Sequence, residues 1–181
     1  AARVRDQISA VEKIMEQQHV EEHAQGDCDV LGLHRVGDLS SIHLLLVRDG
    51  RVISSATHTC RDTREEDSEL LQAFLGQYYH GDKFVPPEIL VPTVPEGLEI
   101  IEKWLSTKAG RRTTVKVPQR GNKVRLLELA RRNAEVRSES DGRQLELQEQ
   151  IAVRLGEVLE AQQPIRTIEC YDISNTQGTL S

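Results

Sequence analysis

The stretch Ser41-Ile-His-Leu-Leu-Leu-Val-Arg-Asp-Gly-Arg-Val-Ile-Ser-Ser-Ala-Thr-His-Thr59 holds two β-like runs, 41–48 and 52–59, around Asp49-Gly50. Asp-Gly between two such runs is a strong signal for a tight hairpin, because both central positions of the favoured turn need positive φ. Ile42, Leu44 and Leu46 alternate with His43 and Leu45, so one face of this strand is buried. A further β-like run, 30–34, precedes it across Gly37-Asp38, and the three form an antiparallel meander.

The periodicity changes after this meander. Leu70, Leu71, Phe74, Leu75 and Tyr78 give residues 69–79 helical spacing, with Gly81 expected to close the helix. Pro86-Pro87 introduces a short buried strand, 88–91. A second helix over 96–107 carries Leu98, Ile101, Trp104 and Leu105 and stops near Gly110. The β-branched run 113–117 is a strand. A third helix over 122–137 is expected to be capped by Asn122 and to turn Val124, Leu127 and Ala130 inward. Residues 138–142 are a polar break or a weak point in a long helix, and helical spacing resumes over 146–161 before Pro164.

The predicted order is β-β-β-α-β-α-β-α, an α/β domain over 28–137 with a mixed sheet and flanking helices. It is the ribonuclease H-like topology: an antiparallel set whose first strand is central, then parallel strands added by right-handed crossovers. A nuclease of this fold needs one acid in mid first strand and another at the end of the fourth, to hold metals about 4 Å apart. Here the first strand offers Val30, Leu31, Gly32 and Leu33, with Asp29 only at its mouth, and the fourth ends in Val91-Pro92. A non-catalytic copy of the fold is therefore expected.

Composition narrows the possibilities. The 181 residues carry a formal charge of −6, 29% charged and 3% aromatic side chains, so the core is mostly Leu, Ile and Val. Such a balance excludes a uniformly nucleic-acid-binding chain, yet residues 111–132 hold eight basic residues against the single acid Glu128. An asymmetry of that kind marks a local surface for a polyanion. Within it Gly121 precedes a helix start between Arg120 and Lys123, offering amides and positive charge to a phosphate. Arg111, Arg112, Arg120, Lys123 and Arg125 are the candidate DNA-backbone contacts; no Walker-type pattern accompanies them. Cys28, Cys60 and Cys170 show no CxxC spacing, so neither a disulfide framework nor a zinc site is indicated. No apolar run approaches membrane-spanning length, and a cytoplasmic location is expected. His34, His43 and His58 are expected to line one sheet face as structural residues, and Trp104, Tyr78 and Tyr79 to pack in the core rather than stack on bases.

Residues 166–174 read as a strand with Asp172 almost at its centre, among Ile168, Cys170 and Tyr171. A carboxylate in such a run is costly to desolvate unless something compensates it, and a divalent metal can. The string Ile168-Glu-Cys-Tyr-Asp-Ile-Ser-Asn-Thr-Gln-Gly178 closely resembles the opening strand of the ribonuclease H-like nuclease domain of the UvrC family, the incision subunits of the bacterial excinuclease in nucleotide excision repair. The resemblance implies that Asp172 is the first of a set of acids, completed further on by other carboxylates and a histidine, that binds Mg²⁺ or Mn²⁺ and activates water for the cut 5′ to the lesion. Residues 1–21 carry a helical stripe, Val4, Ile8, Val11 and Met15. Their opening, including Arg5, Asp6 and Ile8, resembles the second helix of the UVR motif. That motif implies pairing with the helicase subunit UvrB. The expected layout is then a partner-binding helix (1–21), a linker (22–27), the non-catalytic domain (28–137), a linker helix (138–163) and the first nuclease strand (164–181). The chain is expected to be a central fragment, inactive alone, of a metal-dependent endonuclease acting on damaged double-stranded DNA. The alternative is a non-enzymatic scaffold or interaction module that shares only the architecture.

Overall fold

The computed structural model describes residues 26–61, 65–161, 165 and 167–169. The chain divides into two compact units, 1–140 and 141–181. In the first, β1 (Cys28–Val36), β2 (Leu39–Arg48) and β3 (Arg51–Arg61) form the expected meander. Asp49 at φ 49 and Gly50 at φ 77 make the hairpin turn between β2 and β3. Then come α1 (Asp67–Tyr78), β4 (Glu88–Leu90), α2 (Leu98–Ala109), β5 (Thr114–Lys116) and α3 (Asn122–Val158). The sheet order is β3-β2-β1-β4-β5, with β1 central as expected. The meander is antiparallel, whereas β1, β4 and β5 run parallel.

Side-chain alternation along β1 and β2 divides the core into two layers. Leu31 and Leu33 of β1, with Ile42 and Leu44 of β2, face Leu71, Leu75 and Leu105 of α1 and α2. Cys28 and Val30, with Leu45 and Val47, face Leu126 and Ala130 of α3. Both sheet faces at β1 are thus closed, which is why its middle, residues 30–33, carries no polar side chain. The outlying strand β3 is different: most of its residues are exposed on both faces.

Several local expectations are corrected by the caps and the packing. A capping box, in which the Glu69 carboxylate accepts the Glu66 amide at 3.0 Å, starts α1 two residues before the predicted position. Gly81 does not close that helix; Tyr79 does, its amide donating to the Leu75 carbonyl at 3.1 Å. Asn122 is the first helical residue of α3 rather than its cap, with Gly121 at φ 74 ahead of it. The buried face of α3 is Leu126, Ala130, Ala134 and Ser138, spaced by four, while Val124 stays exposed. Residues 138–142 are helical throughout, so of the two readings the long helix is the one found. The histidines also split: His34 and His43 face α3, where Asn133 donates to His43 Nε2 at 3.3 Å, whereas His58 packs edge-on against Phe74 on the opposite face.

The small residues on α3 let it approach the sheet closely. A Cβ placed on Gly32, in the middle of β1, would overlap the Ala130 carbonyl group and the Arg131 amide nitrogen. Those are backbone atoms of a helix, which cannot rotate aside as a side-chain end could. Gly32→Ala must therefore push α3 off the sheet, and overpacking of this kind costs on the order of 1–3 kcal/mol or more. Urea unfolding of Gly32→Ala should show at least that loss, whereas Gly142→Ala, at an open helical position, should be as stable as wild type or gain up to about 1 kcal/mol.

In the second unit α3 continues to Val158 and ends in a turn with Glu160 at φ 50, where the Ala161 amide donates to the Gly156 carbonyl at 2.9 Å.

Candidate nucleic-acid interface

The sheet end at which β1, β4 and β5 begin gathers a cationic cluster, and Asp29 anchors it. Asp29 is the second residue of β1, paired with Leu46 of β2 and Ile89 of β4, and its side chain is fully buried. Arg48 Nη1 donates to Asp29 Oδ1 at 2.7 Å and also reaches the Cys28 carbonyl at 3.2 Å. Tyr79 Oη donates to Asp29 Oδ2 at 2.5 Å. Burial pushes the Asp29 carboxyl above the usual range, and these two donors only partly offset it. Burial, and then the adjacent Asp29 charge, hold the Tyr79 hydroxyl well above its ordinary value, so it stays a donor.

Around this knot the cations divide into two kinds. Some are engaged in the fold. Arg48 and Arg111 lie over the Phe84 ring, at 4.6 and 5.1 Å from its centre, and Arg111 Nη2 donates to the Val85 carbonyl at 3.0 Å. Lys123 is ion-paired with Glu88, which also takes Lys116 at 3.3 Å. Burial alone would raise the Glu88 carboxyl, but its bonds to Lys123 and Lys116 outweigh that and hold it below its ordinary value. Lys123 is thus partly neutralised, which its position in the sequence did not reveal. Others are open: Arg112, Arg120 and Arg125 are exposed, and among the described residues none of the three is ion-paired.

Metal chemistry finds no footing among the described residues. No group of three or more His, Cys, Asp or Glu side chains there could hold an ion. Both oxygens of Asp29 are committed to Arg48 and Tyr79, and a guanidinium occupies the place where a cation would sit. A Ser-His-acid contact does exist: His34 Nδ1 lies 2.8 Å from Ser138 Oγ, and His34 Nε2 3.9 Å from Glu135. Ser138 is fully buried and donates to the Glu135 carbonyl at 2.9 Å, so it holds the helix to the sheet and is closed to a substrate. Asp172 and the candidate partner-binding residues Arg5, Asp6 and Ile8 lie outside the described residues. The sequence also did not single out Phe84, Glu88 and the Asp29 knot. The register was the available signal, since pairing Val47 with Cys28 places Arg48 beside the start of β1.

A mixed sheet of this order, with β1 central and parallel strands added by helices, is that of a ribonuclease H-like α/β domain. The family model of the UvrC Ribonuclease H-like domain matches residues 27–141, and the chain belongs to that family. It is 39% identical over 181 residues to the UvrABC system protein C of Syntrophotalea carbinolica, covering 100% of this chain and 29% of that protein. With the protein of the same name from Anaeromyxobacter dehalogenans strain 2CP-1 it shares 41% identity over 182 residues, 100% of this chain and 26% of the relative. The Geobacter metallireducens protein is 41% identical over 179 residues, 99% of this chain and 29% of the relative. The chain therefore spans under a third of the length of the relatives it matches. No described helix is long and apolar enough to cross a membrane.

The Asp29 knot sets a pH dependence. A carboxyl raised by burial is easier to ionise in the unfolded chain, so its contribution favours folding below the unfolded pKa and is lost as pH rises through the folded value. Tyr79→Phe removes one of the two donors and leaves the ionised form worse off. It should cost about 1–3 kcal/mol in urea unfolding at pH 7 and clearly less at pH 4; an equal loss at both would place the effect in packing alone.

Proposed function

We propose that this chain is part of the DNA-incising subunit of bacterial nucleotide excision repair, a protein that cuts damaged double-stranded DNA on either side of a lesion. Within it the described domain binds the DNA backbone and does no chemistry. The observation that carries this is the combination of a structural Asp29, sealed by Arg48 and Tyr79, with Arg112, Arg120 and Arg125, which are exposed and among the described residues not ion-paired. Guanidinium groups without carboxylate partners are free to take phosphate oxygens, and they do so without reading base sequence.

The catalytic part of the proposal lies with Asp172, as the first carboxylate for Mg²⁺ or Mn²⁺, which would polarise the scissile phosphate and lower the pKa of an attacking water. Its companions would come from the length by which the relatives exceed this chain. Arg5, Asp6 and Ile8 belong to a helix that would pair with the helicase subunit UvrB, and the location is cytoplasmic. Family membership and the 168–178 string support both assignments.

Two experiments test this. Arg120→Glu combined with Arg125→Glu should weaken binding to duplex DNA and reduce the slope of log affinity against log salt by about two. Lys123 is the poorer target, because changing it also removes one of the two cations that hold Glu88. Unchanged affinity and slope in the double variant would remove the phosphate-binding assignment. Incubated with lesion-bearing duplex and Mg²⁺, the 181-residue chain should leave DNA intact; metal-dependent incision would show that the described domain is catalytic after all.

A further inference from the structure

A cavity of about 550 Å³ lies between α1 and α2, away from the cationic end of the sheet. Its lining is divided by polarity. Glu65, Glu69 and Glu96 gather at one end, brought together where the Glu96 amide donates to the Ser68 carbonyl at 3.1 Å. Apart from Gln72, the rest of the lining is apolar: Ala73 and Gly76 from α1, Ile100, Ile101 and Trp104 from α2. Ile100 is 76% exposed, although it lies one residue from buried Ile101. Among the described residues no cationic side chain lines this groove.

Gly76 supplies an independent observation. It lies inside α1 with ordinary helical φ, and a Cβ placed there would meet nothing within 4 Å. Packing does not demand glycine at that position, and glycine weakens a helix relative to almost any other residue. Its effect is to leave the groove floor bare. Glu69 has a local role in the capping box of α1, whereas Glu65 and Glu96 add negative charge to a mouth that already holds it.

We infer that this groove docks a basic amphipathic helix of a protein partner, lysines or arginines over Glu65 and Glu96 and a large apolar side chain over Gly76, Ile100 and Trp104. The shape suits a helix laid in a groove, where apolar anchors recur at helical spacing. The charge selects its sign: the carboxylates repel nucleic acid, and they complement a cationic segment. A partner on this face leaves the exposed arginines free.

The test uses Trp104, the single tryptophan of the chain, as the reporter. The probe is a synthetic amphipathic helix with lysines on one face and leucines and one phenylalanine on the other. Titrated into the full chain, it should shift tryptophan emission to the blue and saturate. Glu65→Lys with Glu96→Lys should weaken binding about tenfold or more, as should Ile100→Ser at its exposed position. Gly76→Gln should raise the thermal midpoint by strengthening α1 while blocking the titration, so loss of binding there cannot be misfolding. Unmoved emission, or equal binding of a peptide with glutamates in place of lysines, overturns the proposal. So does concentration-dependent self-association of the chain that Ile100→Ser abolishes, since a second copy would then be the occupant.

Discussion

The fold rests on one close approach: a helix backbone set against a strand backbone at Gly32 and Ala130. The layer under α3 is thin, built from Cys28, Val30, Leu45, Val47, Leu90, Leu126 and Ala130. Large side chains would hold the helix further out and leave the sheet face wet. Small ones, Ala130, Ala134 and Ser138, let the helix come down until atoms touch, and dispersion over many such contacts replaces the missing bulk. The His34–Ser138 and His43–Asn133 bonds then fix the rotation of the helix about its axis. With that face closed, β1 is buried on both sides, and the buried charge near its start follows.

Asp29 shows how a fold associated with metal chemistry can use an acid near the start of its first strand for architecture. A lone carboxylate there would be expensive to bury. Arg48 from the neighbouring strand supplies the opposite charge and Tyr79 from the end of α1 supplies a hydroxyl, so three elements are tied at one point. Loss of one member of a buried pair of this sort is costly, because the other is left stranded. The same arginine continues outward to Phe84, where Arg111 joins it. The buried knot and the cationic surface are therefore one connected structure.

Much of this was legible in the residues. Asp49-Gly50 and the alternation through Ile42 and Leu44 specified the hairpin, and the order of elements specified the sheet, because both signals are local. Where contacts distant in sequence decide, legibility failed. Hydrophobic spacing assigns Val124, Leu127 and Ala130 to the inner face of α3, and Ala130 is there, whereas the close approach at Gly32 turns Val124 out and brings in the small polar or apolar residues Ala134 and Ser138. Lys123 looked as free as Arg120, and only the position of Glu88, thirty-five residues earlier, separates them. Asp29 stood at the mouth of a strand in the sequence, and its burial depends on Tyr79, fifty residues on.

The outermost strand, β3, carries eleven residues, most of them wet on both faces, and its sequence includes neither proline nor lysine. An edge of that length is an open template for a neighbouring chain. Its ends are Arg51 and Arg61. If two copies aligned their edges antiparallel and in full overlap, each Arg51 would face an Arg61, so two guanidinium pairs would oppose each other across the seam. The arrangement sets like charges against each other in the fully overlapped pairing, and it does so without spending a residue of the core.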